Sequence, residues 1–364
     1  MNLIAYGNEN LLFNGNPKKT FFKSTYQKYT NFGLQRFRID YEGTKNLKLN
    51  TSTILNFKVN RPADLLYDTY LVINIPTIYS PIYHYKTEED VDDKNGHKFA
   101  PYEFKWIEEL GTNMIEEIEI FSSGTTLAKY SGEYLNCMKE RDFSTEKKDL
   151  WNRMTGNVIE LNDPGNANGN VNSYPNTLFT DASLSPEPSI RGRQLYIPID
   201  SFFCDSSKLA LPLVALQYQE ISIKIEIKPL IDLYTINNVN EIPEQVSGLS
   251  YRMKPNKNVL EHQLWRFLQA PYDLNADTSK YNKNITDWNA DVHLMGTYVF
   301  LGQDERRVFA SKEHKILYKQ IYTYDFFDVA GSKIVEIESK DMVSNYMWRF
   351  RRSDAYLRND WSNY

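Results

Sequence analysis

Five histidines, two cysteines and a run of acidic residues are the positions at which this chain could carry chemistry. Metal sites and activated nucleophiles depend on spacing, because the groups must converge from one face of a strand or helix. None of His84, His97, His262, His293 and His314 opens an H-x-D or H-x-E pair, the start of a facial iron triad, and none lies in H-E-x-x-H. Asp291 and His293 have the spacing in reverse order. Two residues apart on a strand they share a face, so a metal pair is geometrically possible, and a strand-end charge beside a tucked histidine is the plainer reading. The carboxylates of Glu88–Asp93 (EEDVDD) lack the alternating ligands and the glycine of a calcium-binding loop and read as a solvated loop. Cys137 has no histidine near it in sequence, and no P-loop, dinucleotide fingerprint or G-x-S-x-G elbow occurs. No catalytic, cofactor-binding or metal-binding residue is therefore assigned, and the chain reads as a structural or binding protein, not an enzyme.

Two basic clusters bear on binding. Lys18, Lys19, Lys23, Lys28, Arg36 and Arg38 are interleaved with Phe21, Phe22, Tyr26, Tyr29 and Phe32. This pattern suits an acidic surface, but aromatic anchors with solvated cations are the simpler account. Arg349, Arg351, Arg352 and Arg358 form the second cluster. On a strand the first two share a face, which could meet phosphate or an acidic loop of a neighbouring subunit. The net charge of -5 argues against a chain whose main task is wrapping nucleic acid.

The elements that carry these residues are strands. Ile221, Ile223, Ile225 and Ile227 project to one side and Ser222, Lys224 and Glu226 to the other, a period of two. With the apolar run Leu213–Leu216 behind Pro212, the stretch Leu211–Ile227 is predicted as one long strand, bent near Gln217–Gln219, that closes a first sandwich. The same alternation marks Phe37, Ile39 and Tyr41; Leu55, Phe57 and Val59; Leu71, Ile73 and Ile75; Ile118 and Ile120; and Leu195, Ile197 and Ile199. Strands are also predicted at His293–Leu301, Lys315–Asp325, Lys333–Glu338 and Asn345–Phe350, with a helical turn at Asp304–Ala310. Residues 132–156 shift to helical spacing and predict two short helices, the second capped by Ser144 or Thr145. Tyr79–Trp106 and Asn162–Asn176 read as polar surface loops.

At 364 residues the chain exceeds the roughly 250–300 that one core serves. A 14% aromatic share, with 26 Tyr and 19 Phe, favours an all-β fold. The predicted division is an arm over 1–18, a first sandwich over 19–228, a Pro-containing linker over 229–258 and a second sandwich over 259–364. With only Cys137 and Cys204, no disulfide framework is predicted, and a reducing compartment follows. The opening residues lack the pattern of a signal peptide, and no stretch approaches the ~18 apolar residues of a membrane span. The sequons at Asn50 and Asn284 are short enough to arise by chance.

TFFKSTYQKYTNFGLQRFRIDYEG (Thr20–Gly43), ADLLYDTYLVINIP (Ala63–Pro76), DLWNRMTGN (Asp149–Asn157), RGRQLYIPIDSFFC (Arg191–Cys204), LALPLVALQYQEISI (Leu209–Ile223) and FLGQDERRVFASKEHKILYKQI (Phe300–Ile321) occur in this order. Together they resemble the double jelly-roll major capsid proteins of large nucleocytoplasmic DNA viruses. The resemblance implies two consecutive jelly-roll β-sandwiches with short helices and long loops inserted. It implies a homotrimeric, pseudo-hexagonal capsomer that tiles an icosahedral virion shell assembled in the host cytoplasm. The implied partners are neighbouring capsomers, minor capsid and penton proteins and a nearby internal viral membrane, with no specific nucleic acid and no cofactor. The alternative is a carbohydrate-binding jelly roll of spike or lectin type; a cupin-type iron oxygenase is a third class. From Val259 to Tyr364 remains about half the length from Lys19 to Ile227, with four or five strands where a jelly roll needs about eight. The second sandwich is therefore expected to be incomplete, with a C-terminal portion missing.

Overall fold

The computed structural model describes residues 30–43, 46–85, 98–177, 186–237, 252–271, 282, 288–338 and 342–362. Eight strands build its sandwich: β1 Phe32–Ile39, β2 Thr53–Lys58, β3 Leu65–Ile75, β4 Ile115–Ser122, β5 Thr125–Tyr130, β6 Arg193–Pro198, β7 Ile221–Ile227 and β8 His293–Leu301. They form two antiparallel sheets, ordered β1-β8-β3-β6 and β2-β7-β4-β5, the second extended beyond β2 by Tyr41–Glu42. First pairs with eighth, second with seventh, third with sixth and fourth with fifth. Such nested pairing is a long hairpin rolled into a two-sheet sandwich, the jelly roll.

Local chemistry explains most of these elements. β2 alternates buried and exposed residues throughout, and β7 buries every second one. Each fully buried Ile of β7 is worth about 1.5–3 kcal/mol. The turn between β4 and β5 places Ser123 at φ 47° and Gly124 at φ 87°, the left-handed pair that a tight hairpin needs. The long β5–β6 connection carries helices α1, Gly132–Asp142, and α2, Thr145–Thr155. Ser131 caps α1 and Ser144 caps α2, each accepting from a backbone N–H three residues on. α2 ends at Gly156, φ 81°, where a Cβ would lie 2.7 Å from a Leu195 methyl.

Several expectations need correction. Leu211–Ile227 is not one strand: Leu211 makes an isolated bridge to Leu66, Leu213–Ala215 is a 3-10 turn, and only Ile221–Ile227 is extended and paired. Nor does β7 close the sandwich. His293–Leu301, assigned above to a second unit, lies between β1 and β3, so the first jelly roll runs to Leu301. The described part of the predicted linker is packed: Ile231, Leu233, Tyr234 and Ile236 are buried, and Tyr234–Asn237 pairs with both Lys105–Trp106 and Arg252–Met253. The half-buried Arg252 donates to the Glu103, Thr235 and Asn237 oxygens, and burial pulls its pKa down to about 10.

The loop predicted over Tyr79–Trp106 buries Tyr102, Phe104 and Trp106, with Phe104 stacked on Tyr234 at 4.8 Å between ring centroids. Asn162–Asn176 is held down as well, by Lys105–Asp163 at 2.5 Å and by the Tyr174 hydroxyl donating to the Phe104 carbonyl at 2.5 Å. The strands predicted over Lys315–Asp325, Lys333–Glu338 and Asn345–Phe350 form no ladder among the described residues. Extended chain becomes sheet only beside a partner strand, and alternation within a segment does not supply one. Helix α3, Gln303–Ser311, does form, at the place read as a helical turn. The arm over 1–18 and the carboxylates of Glu88–Asp93 lie outside the described residues.

Candidate assembly surface

The residues singled out for chemistry are tied into the fold one by one. The Asp291 carboxylate receives both terminal nitrogens of Arg38, at 3.0 and 2.6 Å, and His293 Nδ1 meets the Asp291 carbonyl at 2.6 Å. β1 and β8 pair Arg38 with Met295, which places the guanidinium beside the β8 entry. His262 is buried, accepts from the Asn256 N–H through Nδ1 at 3.3 Å, and is pushed toward the neutral form by burial. His314 stacks on Phe309 with Nε2 2.7 Å from the Phe309 carbonyl. The side chain of His84, and His97 altogether, lie outside what is described.

Burial raises both thiols, that of Cys204 to about 11, where it contacts Ser201 Oγ at 2.9 Å. A thiol held protonated is a poor nucleophile. Among the described residues no group of three His, Cys, Asp or Glu side chains could hold a metal ion, and no helix is long and apolar enough to cross a membrane.

What the described surface does offer is apolar area. Beyond α3 the described chain over 315–338 and 342–350 runs as a ribbon whose inner side, at Ile316, Tyr318 and Ile321, packs on the core. Tyr318 lies 5.1 Å from Phe202 between ring centroids. Its outer side carries Phe327, 78% exposed, Ile334 at 94%, Trp348 at 80% and Phe350 at 73%. Large apolar side chains collected on one segment mark an interaction surface, because each would otherwise sit in water. Phe32 and Leu34 are exposed as well, on β1, an edge strand of its sheet.

The arginine cluster positions this ribbon. Arg349 and Arg351 both pair with Glu133 in the first turn of α1, and Arg352 and Arg358 both hold Asp354 at 3.0 Å. Where phosphate or an acidic loop of a neighbouring subunit was open as the partner of Arg349 and Arg351, the structure pairs both with an acidic side chain of the same chain. At the other end Arg306 of α3 holds the buried Asp64, whose carboxylate also accepts from the Leu301 N–H at 2.9 Å. Tyr102, Phe104 and Trp106 went unrecognised as core although they alternate at a period of two. Their signal was hidden by the polar residues that precede them.

The family description "Major capsid protein N-terminus" matches residues 20–301, from before β1 to the last residue of β8. The chain belongs to the major capsid protein family. The region matched ends where the rolled hairpin closes, so sequence family and strand pairing agree on one unit. The family is structural and non-enzymatic. Relatives include the major capsid proteins of Chrysochromulina ericina virus, 24% identical over 96% of this chain and 56% of that protein, and of Phaeocystis pouchetii virus, 25% identical over 96% and 57%. Capsid protein 1 of Acanthamoeba polyphaga mimivirus is 25% identical over 88% of this chain and 43% of that one. The chain spans about half the length of these relatives. Among solved structures, the Faustovirus major capsid protein overlaps 80% of this chain and 58% of its own at 10% identity and a TM-score of 0.46. The PBCV-1 virus capsid overlaps 81% and 48% at 16% identity and 0.44. The strand order, not these overlaps, establishes the fold here.

Proposed function

We propose that this chain is a capsid building block that associates with itself through the ribbon beyond α3, as a homotrimer within the shell of a virion. The supporting observation is the ribbon's outer face: among the described residues Ile334, Trp348 and Phe350 are exposed although both ends of the segment are anchored to the jelly roll. Apolar area of this kind is covered in assemblies by symmetric copies. In this reading the ribbon is the part of a second jelly-roll unit contributed by these residues. Trimers side by side make the pseudo-hexagonal tile of an icosahedral shell, meeting minor capsid and penton proteins at its seams. The host cytoplasm is the site of assembly.

Light scattering on the purified chain at micromolar concentration tests the reading. A mass three times that of the chain is expected. A stable monomer would sink it.

A further inference from the structure

The last described residues return to the jelly roll and fill a recess on it. Asn359 sits in the left-handed region at φ 55° with 3% of its surface exposed, and its Nδ2 donates to two backbone carbonyls, Ile231 and Tyr234, at 2.8 Å each. Two residues on, Trp361 Nε1 donates to the Asp232 carbonyl at 3.0 Å. The Trp361 ring lies under Lys228 Nζ, 4.2 Å from its centroid. The Lys228 side chain is only 7% exposed, with the Glu116 carboxylate 3.8 Å away. An indole face therefore partners a largely buried cation where contact with water is scarce. Lys254 pairs with Asp232 and donates to the Tyr356 carbonyl at 3.4 Å, which ties the two sides of the recess together.

These contacts differ in kind from the ribbon's. The ribbon turns apolar side chains outward, whereas the turn at Asn359 and Trp361 satisfies specific carbonyls of residues 231–234. Three directed N–H donors and a ring over an ammonium define both the position and the rotation of the segment, which apolar contact alone would not do. Asn is suited to the place because it tolerates a positive φ while its amide supplies two donors.

We infer that residues 228–234 and Lys254 form a docking recess whose occupant is the Asn359–Trp361 turn of the same chain, a latch that fixes the ribbon's far end against the jelly roll. The recess reads an amide at a left-handed position followed two residues later by an indole. This deepens the assembly reading by naming the contact that would hold the assembly face in register. It stands on a single chain, however, so a monomer with a closed latch would defeat the assembly reading and leave the latch intact.

The test is limited thermolysin cleavage of the full chain, comparing wild type with Asn359→Gly, Trp361→Phe and the double variant. Glycine keeps the positive φ and removes two donors; phenylalanine keeps a ring and removes the third. Cleavage within 315–350 is expected to rise about tenfold in the double variant and less in each single one, while amide exchange in β2, β4 and β7 stays protected. Unchanged cleavage in the double variant overturns the inference. If the double variant does not fold, Trp361→Phe alone decides, and a wild-type rate in it counts against the latch.

Discussion

Replacing Ile223 by alanine tests the inward face of β7. Ile223 is fully buried and stands in register between Phe57 of β2 and Ile120 of β4, both fully buried as well. Alanine removes three carbon atoms, and at ~0.8 kcal/mol for each the lost transfer free energy is about 2.4 kcal/mol. Paired strands on both sides prevent the hole from collapsing, so a cavity term brings the total to about 3–5 kcal/mol, the upper part of the range for such changes. Ile223→Asp adds desolvation of a carboxylate and is expected to prevent folding. Lys224 is the internal control. It points outward, its side chain is 30% exposed and its nitrogen is 3.5 Å from Glu119, so Lys224→Ser is worth within about 1 kcal/mol. Urea unfolding followed by far-ultraviolet circular dichroism measures all three. Equal midpoints for Ile223→Ala and Lys224→Ser would refute the face assignment.

Three further outcomes are expected. Gly132→Ala destabilises by at least the ~1–3 kcal/mol of overpacking, because its Cβ would lie 1.9 Å from the Thr112 carbonyl oxygen, whereas Gly33→Ala, with Phe300 Cβ at 3.8 Å, is tolerated; paired melting curves check both. Asp64→Ala leaves the Leu301 N–H without its acceptor, at a cost of about 1–3 kcal/mol, and amide exchange at the end of β8 should accelerate; unchanged exchange there would contradict the assigned bond. Burial and the neighbouring Asp205 raise the Asp200 pKa from 3.8 to about 7. Between those values the folded chain binds more protons than the unfolded one, so this group lowers stability as pH rises from about 4 to about 7 and no further above that. Asp200→Asn should therefore raise the melting temperature more at pH 8 than at pH 4.5, and an equal gain at both would remove Asp200 as the cause.

The sequence by itself determined which residues face inward wherever a local period exists. Ile221 to Ile227, Leu55 to Val59 and Leu195 to Ile199 needed nothing beyond alternation, since the pleat turns successive side chains to opposite sides. Ser144, offered with Thr145 as the start of the second helix, is its cap for an equally local reason, an orphan N–H three residues on.

Which strand lies beside which was decided only in three dimensions. His293–Leu301 has the alternation of any half-buried strand, and its place between β1 and β3 depends on Phe32–Ile39 and Leu65–Ile75, more than two hundred residues earlier. Lys315–Asp325 and Asn345–Phe350 carry the same kind of pattern yet meet no ladder partner among the described residues, so one side of the first packs on the core through Ile316, Tyr318 and Ile321 while Tyr322, Tyr324, Trp348 and Phe350 become surface. Tyr102, Phe104 and Trp106 became core because Tyr234 and Phe267, distant in sequence, pack their rings against them. Alternation reports what one segment would bury; hydrogen-bonded pairing and ring packing depend on a second segment, and no local pattern names it.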